Sequence, residues 1–194
     1  MLSVECAEAF FFNQHKVLGK TLKPFCLYHH FVLQALKSPL MIGGKVGIVD
    51  LYIATLICEQ EYPISFKVIP SPSWWSVLLN SVRFGYYTTR YKFTREITKF
   101  HNYAKDYSSV PHFWEDNKKS IKGKSGIPDV IGLMVSLMIS LKYTEKEAWN
   151  CPIGKAVWLS ATNAILNGAE SKIISAEAKA YMDEMRKEKN KEKK

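Results

Sequence analysis

The chain has no cysteines at metal-ligand spacing. Cys6, Cys26, Cys58 and Cys151 lie far apart and form no C-x-x-C, which argues against a structural zinc site and fits free thiols in a reducing compartment. G-x-S-x-G, H-E-x-x-H, G-x-x-x-x-G-K-[ST] and G-x-G-x-x-G are also missing, so no nucleophile elbow, zincin helix, phosphate loop or dinucleotide fingerprint is present. Gly43-Gly44-Lys45 lacks the glycine spacing of a phosphate loop, and Val46 stands where Ser or Thr would bind magnesium. Long apolar runs are scarce too. The most lipid-like stretch has 12 uncharged residues between Asp129 and Lys142, where a spanning helix needs roughly 20. A buried core helix is expected there. Residues 1–12 begin with an acidic amphipathic stretch, and no secretory signal is expected. Together these absences point to a cytoplasmic, non-enzymatic protein with no cofactor, metal or membrane anchor.

What is present is enough apolar material for a core: 47% of 194 residues are hydrophobic and 13% aromatic, which argues against global disorder. The formal net charge is +9. A basic balance suits nucleic acid, an anionic surface or an acidic partner. Here the cations are scattered and most runs also contain acids, a pattern that serves solubility.

Most of the chain reads as helix. Ser3 can cap a short helix with Glu5 and Glu8 near its positive end. Val17-Leu18, Gly19-Lys20 and Thr21-Leu22 suggest a small hairpin turned by the glycine. An apolar stripe from Leu27 ends at Ser38-Pro39. After the Gly43-Gly44 loop, Asp50 can cap a second helix running to about Glu61, making a helical hairpin. The two prolines of 65–73 mark an internal joint, and a helix with Pro72 in its first turn is expected through residues 73–84. Thr94–Lys105 reads as helix. A loop of about 20 residues follows, a length that is usually functional or disordered. Then come an apolar helix over Pro128–Lys142, a capping box in Thr144 and Glu147, and a helix over Ile153–Leu166. Pro152 sits at the start of that helix and Gly168 supplies its stop. Ser175 can cap a last helix, whose charged end from Arg186 should fray. The expected class is mostly α, a multi-helix bundle with a small N-terminal β-hairpin. Its parts are an N-terminal helical part (1–62), a joint with a basic-aromatic segment and long loop (63–125), a C-terminal helical part (126–185) and a flexible tail (186–194), all within one compact domain.

Three places could carry function. His29-His30 are neighbours that point about 100° apart on a helix and cannot easily share a metal. The segment with Arg83, Arg90, Lys92, Arg95 and Lys99 interleaves cations with aromatics. With Lys118, Lys119, Lys122 and Lys124 it could track a phosphate backbone while tyrosines stack on bases. Against that, Phe93, Ile97, Phe100 and Ala104 recur at core-facing helical spacing. Trp149 and Trp158 flank Pro152, and Ile153, Val157, Ala161, Ala164 and Ile165 continue an apolar stripe. They read as core anchors, or as partner anchors if one tryptophan is exposed.

The pattern Thr-Glu-x-Glu-Ala-Trp, Pro-x-Gly-x-Ala-x-Trp, Asn-Gly within Thr144–Gly168 resembles the C-terminal part of the tail assembly chaperones of long-tailed phages and prophages. Leu22–Leu40, with its Pro-Phe pair before a helix and Ser-Pro after it, is similar to another stretch of such proteins, and His112–Lys119 is compatible. The resemblance covers about a third of the chain, and its motifs are packing and capping residues. It implies a mostly helical cytoplasmic chaperone, without enzymatic activity, that binds the tape-measure protein, helps recruit major tail-tube subunits and can self-associate. Trp149, Ile153, Trp158, Leu133, Leu137 and Leu141 are then the residues expected to line an apolar groove. It further implies that the lysine-rich end could be a frameshift site. Two other functions stay open: a basic nucleic-acid-binding accessory protein, and a structural component of the virion tail.

Overall fold

A computed structural model describes residues 10, 13–63, 90–113, 129–169, 173–174, 180–181 and 184–185. The helices expected over 3–12, 73–84 and from 175 onward fall largely or wholly outside them. So do Arg83, Lys118, Lys119, Lys122 and Lys124.

The fold is mostly α with a small N-terminal β-hairpin. Strands β1 (His15–Val17) and β2 (Lys20–Leu22) pair antiparallel, His15 facing Leu22 and Val17 facing Lys20. The turn is one residue earlier than the sequence suggested. It is Leu18-Gly19, with φ of 50° and 75°, the doubly left-handed pair that suits a two-residue hairpin turn. Leucine disfavours that region. It is held because its side chain is buried in the core and its N–H is bonded by a distant carboxylate, described below.

Helix α1 (Leu27–Ala35) starts behind Cys26, whose N–H is accepted by Nδ1 of His29. It ends where Lys37 turns left-handed (φ 52°). There Ser38 N–H reaches Leu33 O and Lys37 N–H reaches Gln34 O, the two closing bonds of a Schellman stop. One turn, α2 (Pro39–Ile42), leads to α3 (Ile48–Cys58). Asp50 is not the cap residue of α3. The helix begins two residues earlier, and Asp50 reaches back from its first turn to accept the Gly47 N–H at 2.8 Å. α1 and α3 pack as the expected helical hairpin.

α4 (Arg90–Asp106) is longer than Thr94–Lys105 at both ends and lies on β1. Next come β3 (His112–Phe113), α5 (Asp129–Leu141), α6 (Glu145–Trp149), α7 (Ile153–Leu166) and β4 (Ile173–Ile174). β3 pairs antiparallel with β4, a sheet that nothing in those short segments announced. The capping box forms as read: Glu147 N–H donates to Thr144 Oγ1, and Glu147 Oε2 accepts the Thr144 N–H. Gly168 (φ 89°) closes α7, with Ala169 N–H on Ala164 O.

Two apolar clusters hold these elements. One joins the hairpin, α1, α3 and α4 through Val17, Leu22, Phe25, Leu33, Leu51, Phe100 and Tyr103. The other joins α1, α5, α6 and α7 through Leu27, Val130, Leu137, Ala148, Trp149 and Ala156. Tyr28, Phe31 and Ile153 pack against both. Backbone bonds stitch the seam: Leu27 N–H to Cys151 O, Ile153 N–H to Phe25 O, and Gly154 N–H to Tyr107 O at 2.7 Å. A Cβ on Gly154 would lie 2.6 Å from Ser109 O, so this approach requires glycine.

Candidate functional site

Three surfaces could act on another molecule. The first is a pocket of about 500 Å³ beside the Cys26–Pro152 crossing, bordered by Lys23, Cys26, His29, Glu61, Tyr143, Asn150, Cys151 and Lys155. A histidine, two thiols and two lysines look reactive on paper. The geometry makes several of them inert. Nε2 of His29 lies 2.7 Å from Gln60 O, an acceptor, so this nitrogen carries the hydrogen. Nδ1 then accepts the Cys26 N–H. Burial lowers this histidine from its ordinary 6.5 to about 4, so it is neutral and both nitrogens are occupied. The Cys26 and Cys151 thiols are each pushed up to about 11 by burial, which leaves them protonated at neutral pH. Lys23 pairs with Glu61 at 3.0 Å. Asn150 exchanges bonds with both backbone polar groups of Tyr62. Most of the pocket's polar groups therefore already serve the fold.

The second surface is α4. Its buried stripe is Glu96, Phe100, Tyr103 and Tyr107, with Phe93, Ile97 and Ala104 at its flank. The Tyr103 hydroxyl donates to Lys23 O and that of Tyr107 to Asn13 O, each at 2.7 Å. Those rings face the core, together with His15 and Phe25, and cannot stack on bases. Among the cations, Arg95 and Lys105 are exposed, Lys92 and Lys99 half-buried, and Lys99 pairs with Glu96. Arg90 opens the helix, and its side chain lies outside the described residues. Glu96 was not foreseen as a core residue. Its carboxylate accepts the Leu18 N–H at 2.6 Å and so clamps the hairpin turn onto α4.

The third surface is on α5. Of the six apolar residues expected to line a groove, Leu137 is fully buried, Trp149 and Trp158 are buried, and Leu133, Leu141 and Ile153 are half-buried. Trp149 sits among Tyr28, Phe31 and Tyr62, ring centres 5.5–6.0 Å away. Trp158 has no hydrogen-bond partner for its indole N–H among the described residues. These side chains belong to the core and do not line an open groove. What α5 turns outward is its other face. Gly132, Val135 and Ile139 are exposed, with Ser136 beside them. They share a face at i, i+3, i+4 and i+7. Val135 is 40% and Ile139 66% exposed, on a helix with no charged residue from Val130 to Leu141.

Among the described residues, no group of three or more His, Cys, Asp or Glu is placed to hold a metal, and no helix is long and apolar enough to cross a membrane. Comparison of the chain with protein-family models, curated proteins and solved structures finds no match in any of the three.

Proposed function

We propose that this protein is a helix-binding assembly chaperone without enzymatic activity, of the kind that serves phage tails. It covers an amphipathic helix of an elongated tape-measure protein and helps recruit tail-tube subunits to it. The observation that carries this reading is the outward face of α5. An uncharged helix whose inner residues fill a core, yet which leaves valine and isoleucine in water, offers a surface for helix-on-helix packing. Support also comes from the pocket, where the histidine is locked neutral and the thiols stay protonated, an arrangement suited to packing rather than to proton transfer. The resemblance of Thr144–Gly168 and Leu22–Leu40 to tail assembly chaperones points the same way.

The test is co-expression with a long helical tape-measure protein, scored as soluble partner at low and high salt. Apolar packing predicts rescue that survives high salt, because screening acts on charges and not on buried apolar area. Absence of rescue, or nucleic acid recovered instead and stripped by salt, would reject the proposal in favour of a basic nucleic-acid-binding surface.

A further inference from the structure

The tip of the helical hairpin, at the far end of α1 from the Cys26–Pro152 pocket, carries exposed aliphatic side chains and cations together. α1 and α3 contact each other and both contact α2, so the end of α1, the single turn of α2 and the start of α3 meet there. Leu36 after α1, Ile42 at the end of α2 and Val49 in the first turn of α3 are 53%, 63% and 58% exposed. Leu33 and Leu51 beneath them are fully buried, so the core is filled without these three. Gly43 and Gly44 stand between them, and a Cβ built on either meets nothing within 4 Å. The tip is therefore a convex crest. Lys37 and Lys45 are exposed beside it, and neither makes an ion pair among the described residues. No acid occurs in the sequence between Glu8 and Asp50, and Asp50 turns its carboxylate to the Gly47 N–H. An apolar crest with a purely cationic rim is complementary to an anionic lipid surface. The aliphatic groups leave water for the interface, while the lysine heads stay at the level of the phosphates. A convex crest also finds its complement more readily in a deformable layer than in a rigid groove.

We propose that the hairpin tip docks this protein reversibly on an anionic membrane surface, with Leu36, Ile42 and Val49 at the boundary of headgroups and acyl chains and Lys37 and Lys45 on lipid phosphates. The contact is peripheral and needs neither a spanning helix nor a covalent anchor. Three aliphatic side chains and two lysines are a small signal beside that of a stable anchor, so the attachment is weak and exchanges rapidly. This goes beyond the function proposed above and does not rest on it: no residue of α5 belongs to the tip.

The experiment is co-sedimentation of the full chain with vesicles of phosphatidylcholine, either alone or mixed in equal parts with phosphatidylglycerol. The wild type is expected to partition about tenfold or more in favour of the mixed vesicles. Lys37→Gly should lower that partitioning about fivefold, the effect of one lysine at an anionic surface. The fold should tolerate it, because position 37 is left-handed (φ 52°) and suits glycine. Val49→Asp and Ile42→Asp should each lower it about tenfold or more, by losing apolar burial and adding repulsion. An acid at position 49 lies in the first turn of α3, where the helix dipole favours it, so circular dichroism should be unchanged. Lys105→Gln is the control. It lies in the last turn of α4, which packs beside Lys23 and so near the other end of α1, and should change partitioning less than about twofold. No preference for the anionic vesicles overturns the proposal and leaves the tip as a surface for an acidic protein. So does a preference that both aspartate variants keep, or one that Lys105→Gln lowers as much as Lys37→Gly, since binding would then be adsorption of a basic chain as a whole.

Discussion

Removing the Glu96 carboxylate should loosen the N-terminal hairpin far more than removing its cationic partner does. Glu96 has an 8% exposed side chain, while Lys99 beside it is 41% exposed. The lysine can return to water, so Lys99→Ala should cost no more than about 1 kcal/mol, the range of exposed pairs. Glu96→Ala is different. It strands the Leu18 N–H, which now donates to the carboxylate at 2.6 Å, in a turn whose left-handed leucine is otherwise held by the core packing of its side chain. Losing a bond to a charged acceptor and leaving a buried donor unpaired costs about 2–3 kcal/mol. For a chain of this size that is a fall of roughly 4–12 °C in Tm. Glu96→Gln keeps an acceptor oxygen in place and should fall between the two. Urea unfolding of the three variants and of the double Glu96→Ala/Lys99→Ala protein measures all the terms, and the coupling energy should stay below about 1 kcal/mol. Equal losses for Glu96→Ala and Lys99→Ala would refute the reasoning, since the clamp would then be an ion pair and not a capped turn.

Other outcomes follow from the same geometry. Gly154→Ala forces a methyl to within 2.6 Å of Ser109 O and should destabilise by about 1–3 kcal/mol, read as a lower urea midpoint at unchanged m-value. Trp149→Ala empties the space between Tyr28, Phe31 and Tyr62 and should cost about 3–5 kcal/mol, whereas a freely exposed tryptophan would cost almost nothing. His29 is neutral when folded and titrates near 4, against 6.5 when unfolded. Its contribution is therefore complete above the unfolded value and lost as pH falls from there towards the folded one. Between pH 7 and pH 5 it should remove about 2 kcal/mol of stability, and a His29→Asn protein should lack that part of the slope. With thiols held near 11, Cys26 and Cys151 should resist a thiol reagent at pH 8 until urea unfolds the chain, because the thiolate fraction there is about one in a thousand. Rapid labelling of the native protein at those two positions would contradict the burial described.

Local chemistry was legible in the sequence, and the facing of the helices was not. Thr144 with Glu147 and Gly168 specify their helix ends within a few residues, so the capping box and the C-terminal stop follow from the sequence alone. The turn at Leu18-Gly19 was misplaced by one residue and the start of α3 by three, where glycine and aspartate admit more than one register. The buried stripe of α4 depends on hydrogen-bond partners 78 to 94 residues away: the acceptors Lys23 O and Asn13 O for the tyrosines, and the Leu18 N–H that donates to Glu96. No periodicity signals such partners, and a glutamate is normally assigned to the wet face. α5 is the clearest case. Apolar on every side, it gives no preferred direction, so Leu133, Leu137 and Leu141 were read as the partner face while tertiary packing turned Gly132, Val135 and Ile139 outward. A search for the least bulky stripe would have flagged the glycine.

The most direct test of the proposed function is a photo-crosslinking residue placed at Ile139 and, for comparison, at Val49, an exposed apolar position on α3. Each protein is co-expressed with the long helical partner. The account predicts a crosslink to a helical segment of that partner from position 139 and none from position 49. Crosslinking from 49 alone, or a soluble complex that leaves 139 unreacted, would contradict the assignment of α5 as the binding face.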